Sequence, residues 1–134
     1  MLKSVLVIDD SDADLLYTRI ILERSGAVGE VLTFGSAVEA LAHLKAPGVE
    51  PVDVILLDIN MPEMNGFAFL QAYEACDANH HARAVVVMLT TSPDPHDQTR
   101  AFSYASVRSY VVKPLDVASA RGLIDVVEQA PPFR

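Results

Sequence analysis

Apolar residues fall in short, nearly unbroken runs along this chain, and stretches with a helical period separate them. Four runs, SVLVI (4–8), VDVILL (52–57), AVVVML (84–89) and SYVV (109–112), are rich in β-branched residues and do not alternate with polar ones. Such runs predict strands covered on both faces, as in a parallel sheet. A weaker fifth run, EVLTF (30–34), suits a sheet edge.

The intervening segments carry helix signals. Ser11 and Asp14 have capping-box spacing ahead of a helix that reaches about Ser25 and stops before Gly26. Ser36 and Glu39 repeat the signal, and Ala37, Ala40, Leu41 and Leu44 follow at helical spacing. A third helix is expected from near Gly66, burying Phe69, Leu70 and Tyr73. The fourth has Asp94 as N-cap and Pro95 in its first turn. The fifth sets Val117, Ala120, Ile124 and Val127 on one stripe.

Strict β–α alternation predicts helices on both faces of a parallel sheet, joined by right-handed crossovers. Five strands and five helices favour a flavodoxin-like, doubly wound sheet of order 2-1-3-4-5. Ligands are then expected at the carboxyl ends of strands 1 and 3, where the order switches. No repeat, linker or low-complexity tract interrupts the pattern, so residues 1–134 are expected to form a single domain with no output domain.

That architecture gives the segment VDVILLDINMPEMNGF (52–67) its meaning, because a buried strand there ends on Asp58. Asp9 and Asp10 end strand 1, Thr90 ends strand 4 and Lys113 ends strand 5, so all are expected on one rim. Each alone reads as a turn, cap or surface residue. Together, three carboxylates repel one another unless a cation sits among them, and hard oxygen donors point to Mg2+. Lys113 contributes one further positive charge, so the rim is suited to a divalent ion and an incoming anion. After Asp58, Met61 and Pro62 are expected to fix the loop, and Asn65-Gly66 suits positive φ.

Composition narrows the function. The net charge of −8 opposes phosphate backbones and disfavours nucleic-acid binding. No apolar run approaches a bilayer span and MLKSVLVIDD lacks a signal-peptide pattern, which predicts a cytoplasmic protein away from membranes. The single cysteine, Cys76, fits a reducing compartment and a filler role on a helix. His80 and His81 lie in the polar segment DANHHAR, and a solvated loop is expected for them rather than a metal site.

The acidic pair in VLVIDDS, the segment LLDINMPEMNGF, the threonine in VMLTTS and the lysine–proline in YVVKPL match in order and spacing. On these motifs the chain resembles a receiver domain of two-component signalling, of the single-domain kind associated with chemotaxis or phytochromes. The resemblance covers residues 3 to about 128. It implies that Asp58 accepts a phosphoryl group from a sensor histidine kinase or a histidine phosphotransfer protein. It also implies that Asp10, Asp58 and the backbone carbonyl of Asn60 hold Mg2+ directly, with Asp9 acting through water. Lys113 would neutralise the phosphoryl oxygens, and Thr90 and Tyr110 would switch the surface of the fourth helix, fifth strand and fifth helix for a partner or a homodimer. A cis bond at Pro114 is expected for the same reason.

Three features depart from the family's usual pattern. Thr91 stands where a smaller residue is frequent, and its methyl is expected to narrow access to Asp58 and slow small-molecule phosphodonors. The segment SYASVRSY lacks the glycines many receivers have there. Asn60 and Ser92, two residues beyond Asp58 and Thr90, occupy positions that in receivers tune hydrolysis of the acyl phosphate, and neither is charged. The chief rival is a Mg2+-dependent phosphohydrolase with an aspartate nucleophile, which wants a second acid where this chain has Asn60. A flavin module needs a phosphate-cradling loop after strand 1, where Asp9 and Asp10 would repel phosphate. A degenerate docking receiver would not need both Asp58 and Lys113.

Overall fold

A computed structural model describes residues 1–76 and 84–129. The segment holding His80 and His81 lies outside them. The strands are β1 (Leu2–Ile8), β2 (Val28–Phe34), β3 (Val54–Leu57), β4 (Val85–Thr90) and β5 (Val107–Val112). Among the described residues the helices are α1 (Asp12–Ser25), α2 (Ala37–Lys45), α3 (Gly66–Ala75), α4 (Pro95–Phe102) and α5 (Val117–Gln129). All strand pairs are parallel and the order is β2-β1-β3-β4-β5. The flavodoxin-like topology read from the alternation is present, and the weak run at 30–34 does form an edge.

Both faces of the sheet are covered, which explains the unbroken apolar runs. Leu6, Ile8, Ile55, Leu57, Val86 and Met88 point into a core under α2 and α3. Val5, Val7, Val54, Leu56, Val87 and Leu89 point the other way, toward Leu22 of α1 and Ala120 and Leu123 of α5. The period of two is intact; both phases are apolar because neither face meets water.

Local chemistry sets the element ends. Ser11 Oγ accepts the Asp14 N–H at 3.2 Å and Ser36 Oγ accepts the Glu39 N–H at 3.3 Å. Gly26 closes α1 in the left-handed region, at φ 71. On α5 the stripe differs from expectation: Leu123 joins Ala120 as fully buried, while Val117, Ile124 and Val127 are half-buried at its margins. β3 starts later than expected, at Val54; the preceding Asp53 still donates its N–H to the Ser4 carbonyl at 3.0 Å, and its carboxylate accepts the Lys3 N–H at 2.7 Å. β5 starts earlier, at Val107, across a register irregularity at Val86/Val87.

The glycine-free segment before β5 is held from outside. The buried Ser106 gives both its N–H and its hydroxyl to the Glu74 carboxylate of α3. Cys76 caps α3, half-buried, with its thiol against the Ala72 carbonyl.

Candidate functional site

The parallel register brings the carboxyl ends of β1, β3, β4 and β5 to one rim. Asp9 follows β1, and its N–H donates to the Phe34 carbonyl at 3.1 Å. Asp58 follows β3, with its N–H donating to the Ile8 carbonyl at 3.1 Å. Lys113 follows β5, with its N–H donating to the Thr90 carbonyl at 2.8 Å. The ladder therefore continues one residue past each strand, and that fixes where these side chains depart.

Carboxylate oxygens of Asp9, Asp10 and Asp58 all lie within 4.8 Å of one another. Asp9 and Asp58 are buried, whereas Asp10 is exposed. Lys113 Nζ donates to Asp9 at 2.5 Å, to Asp14 at 2.9 Å and to Asp58 at 3.1 Å. The peptide bond that turns the chain after Lys113 is cis, as expected. Burial pushes the Asp9 carboxyl above its ordinary range, against the opposing pull of its Lys113 hydrogen bond. Burial also works against the Lys113 ammonium, but hydrogen bonds to Asp9 and Asp14 and the charge of Asp58 outweigh it, so its pKa is raised.

One ammonium among four carboxylates leaves the rim strongly negative. An all-oxygen, carboxylate-rich donor set of this span fits a hard divalent cation such as Mg2+.

The loop after Asp58 answers why the strand ends on that residue. Asp58 Oδ1 accepts the Ile59 N–H at 2.7 Å, so the carboxylate is oriented by its own turn. The Gly66 N–H donates to the Ile59 carbonyl at 2.8 Å and brings the loop back over the strand end. Positive φ was expected at Asn65-Gly66, but it occurs at Glu63, at φ 66. The cause is a tight turn in which the Met64 N–H donates to the Pro62 carbonyl at 2.7 Å around Glu63. Asn65 instead has extended backbone, φ −78 and ψ 175, and caps α3 by accepting the Ala68 N–H at 2.8 Å. Gly66 is needed for space, since a Cβ there would stand 2.4 Å from the Asp58 carbonyl oxygen.

A family model for the response regulator receiver domain matches residues 5–125 of the chain. This chain belongs to the response regulator receiver family. A two-component response regulator from Cytophaga hutchinsonii superposes on this receiver with TM-score 0.84 at 30% identity, covering 95% of this chain and 97% of that one. A response regulator receiver protein from Dyadobacter fermentans gives TM-score 0.83 at 31% identity, covering 94% and 98%. The sensor histidine kinase GacS of Pseudomonas protegens is 29% identical over 92% of the receiver chain. The receiver spans only 12% of that kinase's length.

In this receiver Thr90 is fully buried at the end of β4, and its Oγ1 accepts the Ser92 N–H at 3.4 Å. Tyr110 is half-buried against the α2/α3 core, and its hydroxyl donates to the Ser92 carbonyl at 2.8 Å. Ser92 Oγ in turn donates to Asp97 of α4 at 2.6 Å. Ser92 is thus the hub of the segment joining β4 to α4, a role its sequence position did not reveal. Tyr110→Phe is expected to lower stability by about 1 kcal/mol through loss of that hydrogen bond, read by urea denaturation. A variant as stable as the wild type would mean the hydroxyl is equally well served by water. Thr91 is exposed, and so is Asn60.

Asp14 is the residue missed at the rim. Its spacing from Ser11 signalled a helix cap, and its carboxylate is instead a Lys113 partner. The available signal was a count of donors, because an ammonium has three N–H bonds and a buried one needs an acceptor for each.

Proposed function

We propose that this receiver accepts a phosphoryl group on the Asp58 carboxylate from a phosphohistidine, and that it works as a cytoplasmic response regulator. The observation that carries this reading is the Lys113 ammonium, 3.1 Å from Asp58 and 2.5 Å from Asp9, beside carboxylates gathered within 4.8 Å. Sensor histidine kinases such as GacS carry a matching segment, which supports a histidine kinase or a histidine phosphotransfer protein as the donor.

In the transfer, the N–P bond of phosphohistidine breaks as an Asp58 Oδ–P bond forms. The imidazole nitrogen leaves with the electron pair. The chain contributes positioning and charge rather than proton transfer. Lys113 donates to phosphoryl oxygens as their charge shifts. Asp9, Asp10, Asp58 and the Asn60 backbone carbonyl would hold Mg2+, which supplies positive charge to the same oxygens when bound.

The acyl phosphate then adds acceptors and negative charge beside Thr90. Thr90 would turn its hydroxyl from the Ser92 N–H to the phosphoryl group. Tyr110, already tied to the Ser92 carbonyl, would report that change to the surface of α4, β5 and α5, where a partner or a second copy docks. The phosphohydrolase reading is not favoured, because Asn60 offers no general acid two residues beyond Asp58.

Incubation with phosphoramidate or a labelled phosphohistidine kinase, in Mg2+, tests the proposal. Hydroxylamine-labile label is expected on the peptide bearing Asp58, and chelation of Mg2+ is expected to slow labelling by roughly a hundredfold or more. Label on another peptide, or labelling indifferent to chelation, would remove the assignment.

A further inference from the structure

All three N–H bonds of the Lys113 ammonium are occupied, by Asp9, Asp14 and Asp58 at 2.5, 2.9 and 3.1 Å. The acceptors are not equivalent. The Asp9 and Asp58 side chains are 4% and 10% exposed, whereas that of Asp14 is 44% exposed. Releasing the ammonium from a buried carboxylate strands a charge, but the Asp14 carboxylate rehydrates when released. Asp14 has also given up its other local role. Its backbone N–H is capped by Ser11 Oγ at 3.2 Å, yet the Ser11 N–H donates to Asp9 Oδ1 at 3.0 Å and not to Asp14. The reciprocal half of the capping box is therefore unmade, and the carboxylate is turned to Lys113.

We propose that Asp14 is a positioning residue that occupies one Lys113 N–H in the resting protein and restrains the rate at which Asp58 is phosphorylated. The inference rests on the acceptor reading above. A phosphoryl oxygen needs an N–H from Lys113, and the Asp14 bond is the one that yields. The same carboxylate adds negative charge where an anion arrives. Asp9 and Asp58 keep the ammonium in place without it.

The test is the phosphoramidate labelling rate of wild type, Asp14→Asn and Asp12→Asn, with phosphoramidate concentration and salt both varied. Asp12 is exposed in the same helical turn and loses the same charge, and no hydrogen bond or ion pair joins it to Lys113. Asp14→Asn is expected to label about fivefold faster than wild type. The gain should persist at roughly 0.5 M salt, where screening over several ångströms removes any gain from Asp12→Asn. The Lys113 ammonium protons should also exchange faster with solvent in Asp14→Asn, read by NMR. Asparagine preserves the helix cap, which uses only the backbone N–H, and the melting temperature checks this. Wild type that takes no label overturns the acceptor reading, and this inference with it. A labelled wild type with Asp14→Asn no faster, or matched by Asp12→Asn in high salt, overturns this inference alone.

Discussion

Asp58→Asn is expected to abolish phosphoryl acceptance and to make the metal-free protein more stable. The first effect follows from chemistry, because an amide oxygen is a poor nucleophile toward phosphorus. Removal of a nucleophile costs at least about a thousandfold in rate. The second follows from charge. Asp9, Asp10, Asp14 and Asp58 meet at the rim against the single ammonium of Lys113, and Asp58 is buried. Neutralising Asp58 removes a like charge from beside Asp9 and Asp10 without opening a cavity. The amide oxygen can still accept the Ile59 N–H, which Asp58 Oδ1 now holds at 2.7 Å. The opposing loss is one of three Lys113 ion pairs, at 3.1 Å the longest of the set.

Repulsion wins, and a gain of about 1 kcal/mol is expected near neutral pH without divalent cation. Added Mg2+ should shrink the difference, because the ion stabilises the wild type more. Urea denaturation with and without Mg2+ reads the stability, and phosphoramidate labelling reads the chemistry. A variant less stable than the wild type under metal-free conditions would show that Lys113 already balances the rim.

The part of the site visible in the amino-acid sequence is the part that the parallel sheet aligns. Once four apolar runs are read as parallel strands, their carboxyl ends must share a rim. Asp9, Asp10, Asp58, Thr90 and Lys113 are then neighbours by topology alone. What stayed hidden depends on competition between partners for one group. Asp14 satisfied a capping rule, but its carboxylate goes to the ammonium, whose charge makes the stronger hydrogen bond. Ser92 became a hub through its backbone carbonyl, which no side-chain pattern encodes. The Asn65-Gly66 pair carried the usual signal for positive φ, yet the left-handed residue is Glu63. There the turn is imposed by where the loop must return, and residue preference yields to it. Leu123 lies outside the stripe of Val117, Ala120, Ile124 and Val127 but is buried, because α5 shares its core with both the sheet and α1 and so covers a wider arc than one spacing describes.

Gly66→Ala is expected to lower stability by roughly 3 kcal/mol, the cost of overpacking where only backbone can move. A Cβ at this position would meet the Asp58 carbonyl oxygen at 2.4 Å and the Ile59 Cα at 3.0 Å. Neither atom belongs to a side chain that can rotate away. The Asp58 backbone is held by its N–H bond to the Ile8 carbonyl at 3.1 Å, and the Ile59 carbonyl by the Gly66 N–H at 2.8 Å. Helix propensity alone gives the opposite sign, since alanine is favoured over glycine in a helix by up to about 1 kcal/mol.

Gly122 of α5 isolates that opposing effect, because a Cβ there meets nothing within 4 Å. Gly122→Ala is therefore expected to stabilise by about 0.5–1 kcal/mol. Relief of the clash at Gly66 would shift the Asp58 carbonyl and the turn that orients its carboxylate. Phosphorylation of the folded fraction should then fall by about tenfold, since sub-ångström placement of the attacking oxygen governs the rate. Two substitutions of glycine by alanine, both in helices, thus have opposite expected signs. If Gly66→Ala proved as stable as the wild type and was labelled as fast, the loop after Asp58 would have slack, and glycine would not be what brings it over the strand end.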